Sequence, residues 1–273
     1  MLSTKTNRRE FTKRAIAAGV AASCGLAIDS KGKLFAQSGD AITDEDILIF
    51  ALNLEYLEAE FYTVATTGRR LAEVGVDISG RAREGATIGG AKVALDPRVQ
   101  VVAEQIAIDE QAHVRLLRTA LSGAAIAKPT INLEALGVGF RNQAEFLTVA
   151  AIFEDVGVSA YRGAAPLIQS RAVLDAAAGI ALTEGQHAGV LRYLVSNLNF
   201  NVPVPSVDPK AVPPLGQPAA PPTANAGRLF FVDGNGLSPS RTTDEVLLIV
   251  YGGNPNGKAG FFPDGLNGKI ERL

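Results

Sequence analysis

The chain has 273 residues, of which 47% are hydrophobic and 20% are charged, and its formal net charge is −2. This composition is too apolar for a disordered protein, and the near balance of acidic and basic residues argues against nucleic acid as a partner. A single cysteine and two histidines exclude an intrachain disulfide framework and metal sites built from cysteines. Any metal chemistry must therefore depend on carboxylates and those two histidines.

The N-terminal 36 residues resemble a signal for export by the twin-arginine route. Residues 7–13 read Asn-Arg-Arg-Glu-Phe-Thr-Lys, and the apolar stretch that follows, Ala15 to Ile28, is too short to remain as a membrane anchor. We expect cleavage after Ala36, which would place the mature protein in the periplasm or outside the cell. No later segment is apolar for long enough to span a bilayer, so no membrane span is expected after processing.

Apolar residues at helical spacing predict four long helices between residues 43 and 199. Thr43 opens a capping-box sequence, and Asp96-Pro97 supplies an N-cap followed by a proline at the first helical position. The predicted helices cover residues 43–65, 96–121, 142–163 and 170–198. Four helices of this length predict an all-α protein with a four-helix bundle over residues 37–200.

The remainder of the chain, residues 201–273, is predicted to be a Pro-rich strap followed by a Gly- and Phe-rich, mostly irregular tail. Residues 203–222 hold eight of the fourteen prolines, which favours a semi-extended segment. Thr242 and Glu245 predict a capped short helix that ends near Tyr251, and the paired Phe261 and Phe262 are expected to pack on the bundle. The connection over residues 69–95, with five glycines, is unusually long.

Both histidines lie three residues after a glutamate within a predicted helix. The second helix carries Glu110 and His113, and the fourth carries Glu184 and His187. Residues three apart on a helix project from the same face, so each pair can bind one metal ion. A single Glu-x-x-His would more often be an exposed pair of side chains than a metal site, but two copies favour metal binding.

The first and third helices complete a repeated pattern. Glu55 is followed seven residues later by Tyr62, and Glu154 is followed seven residues later by Tyr161. This spacing corresponds to two helical turns, so each Glu shares a face with its Tyr. The order Glu-x₆-Tyr, Glu-x-x-His therefore occurs twice along the chain. Each tyrosine is predicted either to donate a hydrogen bond to one of the carboxylates or to be an ordinary core residue.

These residues resemble the ligand set of the ferritin-like di-iron carboxylate superfamily. The resemblance implies a site with two bridging glutamates, two histidines and two terminal glutamates, which are Glu110 and Glu184, His113 and His187, and Glu55 and Glu154, respectively. The negative charges of the four carboxylates would balance two divalent cations in the interior of the bundle. Iron and manganese both suit carboxylate and imidazole ligands, and the sequence does not separate them.

Neighbouring glutamates on the first helix leave one assignment open. Glu58 lies on the same face as Glu55 and is the alternative ligand from that helix. Glu55 is preferred because its spacing to Tyr62 duplicates the spacing on the third helix. Glu60 lies off this face, and we expect its side chain to be exposed to solvent.

Beyond the metal motif, the mature chain resembles bacterial ferritin-like proteins that are grouped with plant desiccation-related proteins. The resemblance rests on residues 53–62 and on C-terminal runs at 236–239, 246–252 and 260–263. It implies a stress-related protein whose dinuclear iron or manganese centre reacts with O2 or peroxide, as in a ferroxidase or a catalase. The alternative is a non-enzymatic structural or interaction protein whose metal site mainly holds the helices together. The long connection and the tail disfavour a storage shell, so a monomer or a small homo-oligomer is expected.

Overall fold

The computed structural model describes residues 26–28, 34–36, 41–197, 230, 232, 235–254 and 257–272. The twin-arginine sequence and the proline-rich stretch over 203–222 lie outside these ranges. The chain divides into two units, Met1–Thr43 and Asp44–Leu273. In the first unit, strand β1 (Leu26–Ile28) pairs antiparallel with strand β2 (Leu34–Ala36).

The second unit contains the four predicted long helices. They are α1 (Asp44–Thr67), α2 (Pro97–Leu121), α3 (Gln143–Ala164) and α4 (Arg171–Asn197). Their ends lie close to the predicted positions because the signals are local: the Asp96 side chain accepts a hydrogen bond from the backbone N–H of Arg98, and Asn142 accepts one from Glu145. The predicted all-α fold class is confirmed. Among the described residues, no helix combines the length and apolarity needed to cross a membrane.

Contacts between helix ends fix the directions of the helices. The carboxylate of Asp44, at the start of α1, accepts hydrogen bonds from two backbone N–H groups just before α4. The backbone N–H of Asp96, just before α2, donates to Oε1 of Gln143 at the start of α3, at 2.6 Å. Helices α2 and α3 therefore begin at one end of the bundle, and α1 and α4 begin at the other. Residues 122–142 must cross the length of the bundle to join α2 to α3.

The two long connections pack against α1. Strand β3 (Thr87–Ile88) in the first connection pairs parallel with strand β4 (Ile131–Asn132) in the second. Leu71 and Val93 of the first connection and Leu133 of the second are buried in the core. Because these segments cover its outer face, α1 is buried around most of its circumference. The glutamates of α1 therefore lie in the interior of the protein.

The C-terminal tail packs on the bundle through helix α5 (Thr243–Val250) and the residues that follow it. The predicted capping box at the start of α5 is present. The ring of Phe261 meets the ring of Phe153 edge to face at a centroid distance of 5.0 Å, and Phe262 is fully buried. The predicted short helix and the predicted packing of the paired phenylalanines are therefore confirmed.

Asn53 joins the tail to the buried helix α1. Its Nδ2 donates to the backbone oxygen of Asn267 at 2.8 Å, and its Oδ1 accepts from the backbone N–H of Asn267 at 3.0 Å. The Asn267 side chain donates to the backbone oxygens of Arg83 and Ala127, which belong to the two long connections. Asn53 and Asn267 thus link the tail and both connections to α1. This link lies two residues before Glu55 in the chain.

Candidate metal centre

Carboxylate and imidazole groups from all four long helices meet in the interior of the bundle. Two overlapping groups have their candidate ligand atoms within 4.8 Å of one another. The first group contains Glu55, Glu110, His113 and Glu184, and the second contains Glu110, Glu154, Glu184 and His187. The two glutamates that belong to both groups are the ones expected to bridge two ions. The structure brings together all six predicted residues, and their role as metal ligands stays a prediction.

Each histidine turns the same ring nitrogen toward the carboxylates. His113 Nδ1 lies 3.1 Å from Glu110 Oε2 and 3.2 Å from Glu55 Oε2. His187 Nδ1 lies 3.0 Å from Glu110 Oε1 and 3.1 Å from Glu154 Oε2. All of these residues are at most 7% exposed. The two oxygens of Glu110 therefore face one histidine each, as a carboxylate shared by two ions would.

The outer ring nitrogens of the two histidines have different surroundings. His187 Nε2 lies 3.2 Å from Oδ2 of Asp109, the residue before Glu110 on α2. Such a carboxylate fixes the orientation and tautomer of the ring and makes the inner nitrogen a stronger metal ligand. Within the described ranges, His113 Nε2 has no corresponding partner, and Thr183, the residue equivalent to Asp109 on α4, donates to its own helix backbone. The two halves of the site therefore differ chemically, and the pattern of Glu and His did not reveal Asp109.

The two predicted tyrosines hydrogen-bond to glutamates across the bundle. Tyr62 on α1 donates to Glu154 Oε1 on α3, and Tyr161 on α3 donates to Glu55 Oε1 on α1, each at 2.5 Å. Of the two alternatives left open for these tyrosines, the structure shows the hydrogen bond to a carboxylate. Each hydroxyl, however, reaches the glutamate of the other helix and not the one on its own helix face. Two equivalent hydrogen bonds thereby join α1 to α3.

Glu58 is buried in the same region but belongs to neither group of candidate ligands. A Cβ atom added to Gly157 on α3 would lie 2.2 Å from Glu184 Oε2 and 3.5 Å from Glu58 Oε1. The lack of a side chain at Gly157 therefore gives the Glu184 carboxylate room against α3, whereas the distance to Glu58 is an ordinary contact. Because Glu55 belongs to the first group of candidate ligands and Glu58 belongs to neither, the structure favours Glu55 as the ligand from α1. Gly157 was not identified from the sequence as part of the site. Its position inside a predicted helix, where glycine is unfavourable, is the one feature of the sequence that could have pointed to it.

The expectation that Glu60 is exposed was wrong. Its side chain is fully buried, with Oε2 accepting from the backbone N–H of Leu71 at 3.0 Å and Oε1 accepting from the hydroxyl of Thr87 at 2.6 Å. Lys128 Nζ contacts the same hydroxyl at 3.1 Å. The face of α1 that would be solvated in an isolated bundle is covered here by the two connections. Glu60 therefore holds the first connection in place and does not take part in the metal centre.

Burial of several carboxylates together changes their proton affinity. Burial, helped by the nearby Glu55 carboxylate, raises the pKa of Glu110 to about 8. Burial and the charge on Glu110 hold the pKa of Glu184 and of Glu58 well above the usual range. Burial also acts to raise the pKa of Glu55, but the His113 ring beside it prevails and the pKa is lowered. Without cations, part of the cluster therefore holds protons at neutral pH.

The carboxylates raise the proton affinity of both histidines. Burial acts to lower the pKa of His113, but Glu55 and Glu110 raise it to about 10. Burial has the same effect on His187, and the adjacent carboxylates of Glu110 and Glu154 raise its pKa to about 11. In the metal-free protein both rings are therefore positively charged at neutral pH and partly neutralise the buried carboxylates.

Buried carboxylate oxygens that lack a hydrogen bond fit a metal site among these residues. Both carboxylate oxygens of Glu184 are buried without a hydrogen-bond partner among the described residues. Oε1 of Glu110 is also unpaired, since it lies close to His187 Nδ1 but outside hydrogen-bond geometry. Such buried oxygens cost about 1–3 kcal/mol each, and more when charged. They belong to the two glutamates shared by both groups, and carboxylate with imidazole is a donor set that suits iron or manganese.

A four-helix bundle with this carboxylate and histidine centre defines the ferritin-like class of proteins. The sequence model of the ferritin-like domain matches residues 43–197, more than half of the chain, and the chain belongs to that family. A ferritin-like catalase from Nesocodon mauritianus is 26% identical over 269 residues, covering 84% of this chain and 85% of that protein. A desiccation-related protein from Craterostigma plantagineum is 27% identical over 171 residues, covering 56% of this chain and 53% of that protein. The resemblance to ferritin-like and desiccation-related proteins is therefore confirmed.

Proposed function

We propose that this protein holds two iron or manganese ions and uses them in redox chemistry with O2 or peroxide. The observation that supports the proposal is that buried oxygens of Glu110 and Glu184 without a hydrogen bond converge between two glutamate–histidine groups. When bound, two such ions would exchange electrons with the oxidant. The six proposed ligands are Glu55, Glu110, His113, Glu154, Glu184 and His187.

The surrounding side chains would orient the ligands. Tyr161 holds Oε1 of Glu55 while Oε2 of the same carboxylate faces His113. Tyr62 holds Oε1 of Glu154 while Oε2 faces His187. Each tyrosine thus occupies one oxygen of a terminal glutamate and leaves the other oxygen for a metal.

The more specific form of this proposal is a catalase-like reaction, which converts two molecules of hydrogen peroxide into O2 and two molecules of water. The similarity to a ferritin-like catalase over most of both chains supports it. A ferroxidase-like reaction with O2 is the other version. Either reaction would suit a protein of stress protection, as the name of the desiccation-related relative suggests. From the N-terminal sequence we also propose export by the twin-arginine route, to the periplasm or the cell exterior, and a monomer or a small homo-oligomer as the working form.

A non-enzymatic role is the second candidate, and the position of the cluster favours it. The carboxylates and histidines come from all four long helices, so bound ions would also hold the bundle together. The two roles differ in turnover. A structural site would keep its ions in the presence of peroxide without consuming it, whereas a catalytic site would consume peroxide and change its absorption spectrum.

The first experiment is elemental analysis of the protein purified without added metal or chelator. About two iron or manganese ions per chain are expected, as the ligand set requires. The metal found determines whether peroxide consumption with O2 release or O2 consumption is measured next. Far less than one ion per chain, with none taken up under anaerobic conditions, would reject the dinuclear site.

Two substitutions test the ligand assignment. Glu110→Ala and His187→Ala are each expected to abolish stoichiometric binding, because each removes a ligand and leaves the other buried charges uncompensated. Glu104→Ala, an exposed position on the same helix α2, is the matched control and should bind as the unmodified protein does. Retention of full binding in both ligand variants would show that the ions bind elsewhere.

A further inference from the structure

A small cavity, partly open to solvent, lies among the four long helices near the end where α1 and α4 begin. Its volume is about 30 Å³. All four long helices contribute to its wall, including Ile47, Ala51, Leu54, Leu117, Ala160 and Ala177. Among the described residues that line it, Tyr161 alone has a polar atom in its side chain. The cavity is therefore apolar, and it is separate from the carboxylate cluster.

Tyr161 connects this cavity to the candidate metal centre. The side chain of Tyr161 lines the cavity, and its hydroxyl donates at 2.5 Å to Glu55 Oε1 in the centre. Leu54, which also lines the cavity, directly precedes Glu55 in the chain. On the outer side the cavity is lined by Ala164 and Ile168, which are both partly exposed. The cavity thus lies between solvent and the Glu55 side of the centre.

The lining determines what can occupy this space. A water molecule needs about 10–15 Å³ of such volume and two to four polar partners, so the volume is sufficient but the partners are missing. Peroxide carries two hydroxyl groups and would lose its hydrogen bonds to water without replacing them. O2 is diatomic and has no hydrogen bonds to lose, so it can enter an apolar cavity of about this size.

We propose that this cavity is a binding site for O2 and a passage for O2 between solvent and the metal centre on the side of Glu55 and Tyr161. The proposal of a binding site is supported by the cavity itself, whereas the proposal of a passage rests on the proposed function of the metal centre. In a ferroxidase-like reaction O2 would enter this way, and in a catalase-like reaction it would leave this way. Peroxide would reach the centre by a different, polar route.

Xenon is the probe for the binding site, because it is apolar and enters dry cavities that exclude water. NMR of dissolved xenon with the full-length, metal-free chain should show a saturable shift of the xenon resonance. Ala177→Leu fills the cavity and is expected to abolish the saturable shift. Ala178→Leu, at the neighbouring exposed position of α4, is the matched control and should leave it unchanged. No saturable shift with the unmodified chain, or an unchanged shift with Ala177→Leu, would overturn the proposal.

The passage is tested with metal-loaded protein after reduction. Ala177→Leu should slow oxidation of the reduced centre by O2 several-fold relative to Ala178→Leu, while oxidation of the reduced centre by peroxide, a step that releases no O2, proceeds at equal rates in the two variants. Equal rates of reaction with O2 in the two variants would overturn the proposal that O2 passes through the cavity. Circular dichroism and metal content of both variants verify that the bundle and its centre are intact. If Ala177→Leu does not fold, Ala164→Leu blocks the partly exposed side of the same cavity.

These results separate failure of the inference from failure of the proposed function. The xenon measurement uses metal-free protein, so its result does not depend on any activity. A chain that binds xenon in the cavity but never takes up iron or manganese would contradict the proposed function alone. A chain that binds two ions and reacts with oxidant but excludes xenon would contradict the cavity proposal alone.

Discussion

Gly157 determines how closely α3 approaches the shared glutamate Glu184. A Cβ atom there would lie 2.2 Å from Glu184 Oε2 and 3.0 Å from Glu184 Cδ, so Gly157→Ala must displace the carboxylate. We expect this substitution to remove stoichiometric binding of at least one ion in an anaerobic metal titration. This loss is expected although alanine by itself favours a helix by about 1 kcal/mol over glycine.

Gly179→Ala on α4 is the control for this prediction. A Cβ atom at Gly179 meets nothing within 4 Å, so the substitution should leave metal content unchanged and raise the free energy of unfolding by up to about 1 kcal/mol. If Gly157→Ala binds as much metal as the control, the close approach of Gly157 to Glu184 has no part in metal binding.

Asp109 makes the two halves of the site unequal. It lies 3.2 Å from His187 Nε2, and no corresponding carboxylate is found beside His113 in the described part of the chain. Asp109→Asn should lower metal affinity at the His187 position by about 10–100-fold and leave the His113 position unaffected. A calorimetric titration would then show two separated binding steps. Asp175→Asn, at an exposed position of α4, serves as the control, and equal titrations of the two variants would contradict the role of Asp109.

For individual residues, the sequence allowed prediction of the site residues whose spacing repeats along the chain. It did not allow prediction of residues whose role depends on a contact with another segment. Glu110 and His113 are recognisable because an i,i+3 pair on a helix shares a face whatever surrounds the helix. Glu60 was assigned to solvent because its partners, Leu71 and Thr87, come from a connection with no periodic pattern. Gly157 could not be recognised as part of the site, because its importance depends on a carboxylate from α4.

The elements that surround α1 include the C-terminal tail, which Asn53 attaches through two hydrogen bonds. Asn53→Ala removes two partly buried hydrogen bonds to the backbone of Asn267. We expect the free energy of unfolding in urea to fall by about 1–3 kcal/mol, because each of the two hydrogen bonds contributes about 0.5–1.5 kcal/mol. Gln105→Ala, at an exposed position of α2, should change it by no more than about 0.5 kcal/mol. Equal stability of the two variants would show that the tail is held by other contacts.

Long helices were predictable from the sequence, and the segments between them were not. The caps at Asp96 and Asn142 depend only on the next few residues, so helix starts could be predicted from local sequence. The connections bury Leu71, Val93 and Leu133 in irregular structure and in short parallel strands, which have no hydrophobic period to detect. Their length therefore suggested loops, although they form part of the core.

At the scale of the whole molecule, the buried cluster couples stability to pH when no metal is bound. The pKa of Glu110 rises from 4.5 to about 8, and those of His113 and His187 rise from 6.5 to about 10 and about 11. The folded state therefore binds more protons than the unfolded chain between the ordinary and the raised values. Its free energy of unfolding must fall as pH rises through this window. Urea unfolding of metal-free protein at several pH values from about 5 to about 9 measures the slope.

Bound metal should change this dependence. Two divalent cations would replace the protons held by the cluster, so metal-loaded protein should lose less stability over the same pH range, and metal binding should release protons. A metal-free protein whose stability rises with pH, or a metal-loaded protein with an equally steep decline, would contradict this account of the cluster.

The pairing of helices in the centre has a consequence for how such a protein can originate and diverge. Neither metal group is complete within α1 and α2 or within α3 and α4, because each group takes ligands from both pairs. The hydrogen bonds of Tyr62 and Tyr161 likewise each join a residue of one helix pair to a glutamate of the other. Two identical copies of one helix pair, associated as a dimer, would already present every ligand. Joining the copies in a single chain would free each half to change alone, and the difference between Asp109 and Thr183 at equivalent positions is the kind of difference this would allow.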